Sequence, residues 1–249
     1  MAGLDFQALV IISLAVSLGS FVKGFTGFGL PLFSIPIMAG FIGLDHAVAV
    51  MIIPSIVSNF LLLWTNRRQK PDLTLFGPLL VTSIFGIFLG AWLLQSIPTS
   101  WLMVFLASWI FLYVAMQKSR LRFHLNKSQN RIAGPITGFI AGISQGSSGV
   151  TTAIIVSYLH ALDLQPRSFV YANALIYQAF WFVTGAALWA FGMFDLGRAG
   201  ESLYALIFVL VFVPMGSWLT DRVDKARFEN LIFLFLLLIA GRLVYLAVV

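Results

Sequence analysis

The chain contains no cysteine, which excludes disulfides, thiolate metal sites and thiol chemistry. Charge is almost as scarce. Of 249 residues only 9 are Asp or Glu and 15 are Lys or Arg, 10% in all, against ~25% in a soluble domain. No acidic residue falls well inside a full apolar span: Glu229 is at an end, and Asp45, Asp163, Asp195 and Asp221 lie in or beside loops. Their absence from the spans argues against a cation carrier or a carboxylate proton relay. The phrase Gly-x-x-x-x-Gly-Lys-Ser/Thr is missing too, so this chain alone is no ATP-driven pump. His46, His124 and His160 stand at or near loops without clustering, so neither a metal site nor a cofactor is expected.

What fills the chain instead is oil. Apolar residues make up 60% of it, mean hydropathy is +0.97, and runs repeatedly reach the ~20 residues that cross a bilayer. The fold class expected is an all-α polytopic membrane protein, multi-pass in the cytoplasmic (inner) membrane, with lipid as its surroundings. The first run is preceded by Asp5 and by no Lys or Arg, and lacks an A-x-A-like cleavage site, so it counts as structure and not as a removed signal. The net charge of +6 resides in short loops, where retention of cations on the cytoplasmic side explains it without nucleic acid.

Two of the apolar stretches are interrupted. Residues 6–43 contain Gly19 to Pro31, GSFVKGFTGFGLP, and residues 132–161 contain Gly134 to Thr152. Each predicts a broken helical hairpin. Spans at 46–65, 74–95 and 101–117 follow the first; spans at 168–192, 202–219 and 228–247 follow the second. A basic linker, 118–131, divides the chain into a first repeat, 1–117, and a second, 132–249. Gly24 and Leu44-Asp45 recur 118 positions later as Gly142 and Leu162-Asp163. Gly90-Ala91-Trp92-Leu93 recurs 126 positions later as Gly216-Ser217-Trp218-Leu219. The eight additional residues are assigned to the Phe191 to Glu201 loop. With the 66–72 and 118–131 loops inside, twelve of the fifteen Lys and Arg residues share the cytoplasmic face, and both termini lie outside. The two halves are then inverted relative to each other, as in many alternating-access carriers.

The breaks also carry the candidate chemistry. Irregular backbone at membrane depth survives only where protein buries it or a wet cavity solvates it. Each restarting helix offers uncapped N–H groups and a partial positive charge, which suit an oxyanion. The candidate substrate-binding residues are Lys23, Gly24, Gly27 and Gly29 in the first break. In the second they are Gln145, Gly146, Ser147, Ser148, Gly149 and Thr151, the spacing of Ser147 to Thr151 stacking hydroxyls on one helical face. Asn59 and Gln178, amides in roughly equivalent spans, complete the set. Structural alternatives stand beside these roles: small residues that let helices pack closely, amides that bond helix to helix, and a Lys23 that snorkels to the cytoplasmic surface.

The phrase Gly24-Phe25-Thr26-Gly27-Phe28-Gly29 followed by Pro31, the Gly-x-Trp-Leu pair and the central basic loop resemble the TauE/SafE family of membrane permeases across nearly the whole chain. Ser147-Ser148 departs from a strict copy of the first break. The resemblance implies a two-repeat carrier for a small sulfur-containing anion such as sulfite, a sulfonate or a sulfoacetate-like compound. Coupling ion, direction and oligomeric state, a homo-oligomer included, are left open. Two other functions compete: a passive anion channel, and an intramembrane serine protease built on Gly146-Ser147-Ser148-Gly149, for which only His160 follows as a base.

Overall fold

The computed structural model describes residues 6–119, 124–219, 222 and 225–248; Asp5, Arg120, Arg122 and Asp221 fall outside them. Among the described residues the chain is helical throughout. In the first half α1 (Phe6–Thr26) is followed by α2 (Leu30–Ile42), α3 (Leu44–Val50), α4 (Ile52–Thr65), α5 (Gly77–Ser96) and α6 (Thr99–Ser119). In the second, α7 (Lys127–Ser148) is followed by α8 (Thr152–Ala161), α9 (Pro166–Ala190), α10 (Leu196–Leu219) and α11 (Lys225–Val248). Five helices are long and apolar enough to cross a membrane, and the bent pair of α3 and α4 makes a sixth span.

Glycine conformation sets both breaks. Gly27 and Gly29 sit at φ 84° and 102°, a left-handed region that side-chain-bearing residues avoid, and Pro31 opens α2. Gly149, at φ 67°, ends α7 in the same way. The breaks are shorter than the sequence phrases: α1 runs through Gly24 to Thr26, and α7 through Gly146 to Ser148. Residues 46–65 are not one straight span either. Pro54 has no N–H to give Val50 O, and the helix bends by 41° at Met51. Ser202 repairs the gap, donating to Val50 O at 2.8 Å and accepting from Ile53 N at 3.1 Å.

The helices pack in matched pairs, α1 on α10, α7 on α5, α6 on α11 and α4 on α9. A Cβ on Gly216 would lie 2.1 Å from Phe21 O of α1, and one on Gly90 would lie 2.3 Å from Ile143 O of α7. Phe21 and Ile143 are 122 positions apart, as are Gly24 and Gly146, which face α10 and α5 in return. Gly24 and Gly146 thus share one packing geometry at a separation of 122, while Gly142, at 118 from Gly24, also packs on α5 against Ser83 O and Gly86. Between α1 and α5 the offset grows only from 122 to 126. The expected long loop from Phe191 to Glu201 is corrected: the connection 191–195 is shorter than 66–76 between α4 and α5, because Asp195 accepts the Arg198 N–H at 2.8 Å and α10 starts five residues before Glu201.

Hydrogen bonds gather the loops at two ends. At one end Leu125 N donates to Ala161 O at 2.7 Å and Asn130 Nδ2 to Leu75 O at 3.0 Å. An open pocket of about 530 Å³ there is bordered by Arg67, Arg68 and Arg167. At the other end Gln95 Nε2 donates to Phe191 O at 3.5 Å, and Arg198 pairs with Asp45 at 2.7 Å. At this second end the sequence expectation about acids is corrected. Glu201 lies within α10, 9% exposed, and its carboxylate meets His46 Nε2 of α3. Its burial stayed hidden because the helix starts earlier than the hydropathy does.

Candidate functional site

The uncapped starts of α2 and α8 converge on one small cavity of about 10 Å³, room for about one water. Gly29 and Pro31 reach it from the first break and Thr152 from the second, while Asn59 of α4 and Asn173, Tyr177 and Trp181 of α9 close its sides. Neither helix start has a side-chain cap. Two sets of first-turn N–H groups, each with the partial positive charge of a helix N-terminus, thus face the same space.

Lys23 brings the one amine among the lining residues. It is one turn before the break, 4% exposed, and it lines the cavity without reaching the surface as a snorkelling side chain would. Its Nζ donates to Ser58 Oγ at 2.9 Å and to Asn59 Oδ1. Both partners are neutral, and the Ser58 hydroxyl donates its own hydrogen bond to Ser55 O at 3.0 Å. Among the described residues no carboxylate pairs with Lys23. A buried cation without a counter-charge is costly unless something negative joins it.

A polar stripe on α9 completes the lining. Asn173, Tyr177 and Trp181 are spaced by four, which puts them on one helical face. Asn173 Oδ1, the Tyr177 hydroxyl and Trp181 Nε1 are buried with no hydrogen-bond partner. Tyr177, Trp181, Phe28 and Pro31 are lining residues that the sequence reading did not select. The repeat of polar-tipped residues at 173, 177 and 181 is the signal that would have found the α9 set.

The remaining candidates divide. Lys23, Gly29 and Asn59 line the cavity. Gly27 shapes the first break beside Val170, and Gly149 shapes the second against Ile35 and Trp181. Gly24 and Gly146 face neighbouring backbone across the α1–α10 and α7–α5 seams. Ser147 and Ser148 donate to main-chain carbonyls of their own helix, at 2.7 Å to Ile143 O and 2.8 Å to Ser144 O. They share no helical face with Thr151 or Thr152, because Gly149 turns the chain between them. His160 stacks on Phe169, ring centroids 4.9 Å apart. Gln145, Thr151 and Gln178 carry buried polar atoms without partners but do not line the cavity. Gln145 holds the place of Lys23 in the second half: Gly27 N donates to Lys23 O and Gly149 N to Gln145 O, both at 2.8 Å. The same offset of 122 from Asn59 falls at Trp181, three residues past Gln178.

No curated protein and no solved structure matches the chain. A family model described as sulfite exporter TauE/SafE matches residues 11–243, a range that takes in both breaks, both glycine seams and every residue lining the cavity. The chain therefore belongs to the sulfite exporter TauE/SafE family.

Proposed function

We propose that this protein is a secondary carrier that moves a small sulfur-containing anion, sulfite or an organosulfonate, across the cytoplasmic membrane by alternating access. The observation that carries this reading is the buried Lys23 ammonium, held only by Ser58 and Asn59, at a cavity where two uncapped helix starts meet. An oxyanion provides the missing counter-charge. Its oxygens accept from Lys23 Nζ, from first-turn N–H groups of α2 and α8 and from Trp181 Nε1. At a few ångströms and an effective dielectric of ~20, the attraction to Lys23 is roughly 4 kcal/mol before desolvation.

The matched seams support two inverted repeats, 1–117 and 132–249, joined by the 118–131 linker on the cytoplasmic side. A cavity of about 10 Å³ is too small for a sulfonate, so loading requires the broken helices to move. Alternating access supplies that movement, with each half opening the site to one face in turn. A channel needs a continuous path, and the closed cavity favours the carrier.

Purified protein in liposomes decides it. Sulfite, sulfonates, carboxylates and sulfate are compared under imposed pH and voltage gradients. Saturable uptake and counterflow of a sulfur oxyanion are expected. Non-saturating flux without counterflow indicates a channel, and flux of cations in place of anions overturns the reading.

A further inference from the structure

We propose that His46 and Glu201 form a proton-binding pair that couples anion movement to a pH gradient through the bend at Met51; the proposal rests on the carrier reading above. The pair joins α3 to α10 through His46 Nε2 and Glu201 Oε2, with side chains 22% and 12% exposed. It is thus reachable by water from the end of the bundle yet largely shielded from it.

The neighbouring residue ties this contact to the hinge. Ser202 binds Val50 O on one side of the bend and Ile53 N on the other. Two consecutive α10 residues therefore hold the α3–α4 joint, one through a titratable contact and one through a neutral hydroxyl. Beyond the joint, α4 carries Ser58 and Asn59, the residues that hold Lys23. A change at Glu201 thus has a short mechanical route, through α3 and the bend, to the anion cavity.

The surrounding charges leave the pair to itself. Arg198 is engaged by Asp45 at 2.7 Å and by Met193 O at 2.6 Å. Asp195 accepts the Arg198 N–H, which holds its carboxyl below the ordinary carboxylate range, and His46 lies close enough to add to that effect. Tyr204, one turn along α10, bonds Ser13 of α1 at 2.8 Å. Neither α2 nor α4 contributes a titratable side chain, and Arg242 of α11 is stacked 4.0 Å over Phe41. The Lys and Arg residues of α1, α6 and α7 belong towards the opposite ends of those helices.

An imidazole exchanges protons near neutral pH. With one ring proton, His46 donates a hydrogen bond to the Glu201 carboxylate. Taking a second proton from water makes it an imidazolium, and the contact becomes a charge-assisted bond roughly twice as strong. In the opposite-facing state the proton leaves to water on the other side of the membrane, so that one proton crosses with the anion. Each bound proton offsets one negative charge of the cargo and tightens α3 on α10.

The test uses the full chain in liposomes: wild type, His46→Gln and Glu201→Gln, with whichever of sulfite or sulfoacetate the wild type exchanges. Counterflow at equal pH reports the carrier alone, and uptake driven by a pH gradient, with an internal pH dye, reports coupling. Both variants are expected to keep counterflow while losing gradient-driven uptake and the dye signal by about tenfold or more. His46→Gln, which keeps a hydrogen-bonding group without a titratable ring, serves alone if Glu201→Gln fails to insert. Wild-type gradient response in the variants, or wild-type counterflow indifferent to pH gradients, overturns the coupling and leaves the carrier standing. Absence of wild-type counterflow removes both.

Discussion

Gly24 and Gly146 meet their neighbours in the same way: a Cβ on Gly24 would lie 2.1 Å from Val213 O, and one on Gly146 would lie 2.1 Å from Ile87 O. Such contacts let two helix backbones approach closely, a main source of helix association where no hydrophobic effect operates between them. Gly24→Ala and Gly146→Ala should therefore each cost about 1–3 kcal/mol by forcing the seams apart. Gly200→Ala, whose Cβ meets nothing within 4 Å, should leave stability unchanged or slightly raised. Thermal unfolding of the purified variants in detergent, followed by tryptophan fluorescence, separates the two classes. Equal midpoints would show that the seams tolerate a side chain.

Asn173 tests whether the cavity trades stability for binding. Its Oδ1 is buried without a partner, a deficit of about 1–3 kcal/mol. Asn173→Leu, similar in volume and without polar atoms, should raise the unfolding midpoint and weaken anion affinity. A lower midpoint would mean that the amide is satisfied in the membrane and acts as structure.

Much of this arrangement was legible in the residues. The two glycine breaks were placed because oil cannot solvate freed backbone, and the apolar runs were placed by length. Spacing does not separate Gly24 from Gly29, less than two turns of phrase in which one glycine faces a helix and the other faces the cavity. Lys23 finds Ser58 and Asn59 across 35 and 36 positions, a distance that only packing resolves. Tyr177 and Trp181 reach the breaks only because α9 packs beside them. Glu201 reads as a loop residue in sequence because hydropathy locates the apolar part of a helix and not its capped start.

The arrangement of the ends is testable in a chain without cysteine. Ser128 begins α7 at the Arg167 end, and Gly197 begins α10 at the Asp45–Arg198 end. Single cysteines at these two positions should be labelled by an impermeant thiol reagent from opposite sides, Ser128→Cys only after the cytoplasmic face is opened. Labelling of both from one side would contradict the inverted arrangement and the proposed orientation together.

The most direct measurement is anion affinity in Lys23 variants, read as half-saturation of counterflow in liposomes at equal protein level. An ammonium beside the cargo contributes roughly 4 kcal/mol before desolvation, so Lys23→Gln should weaken affinity by well over tenfold. Lys23→Arg should fall between, because a planar fork does not reproduce a point charge held by Ser58 and Asn59. Counterflow in Lys23→Gln with wild-type half-saturation would contradict the proposal that Lys23 is the counter-charge of the transported anion.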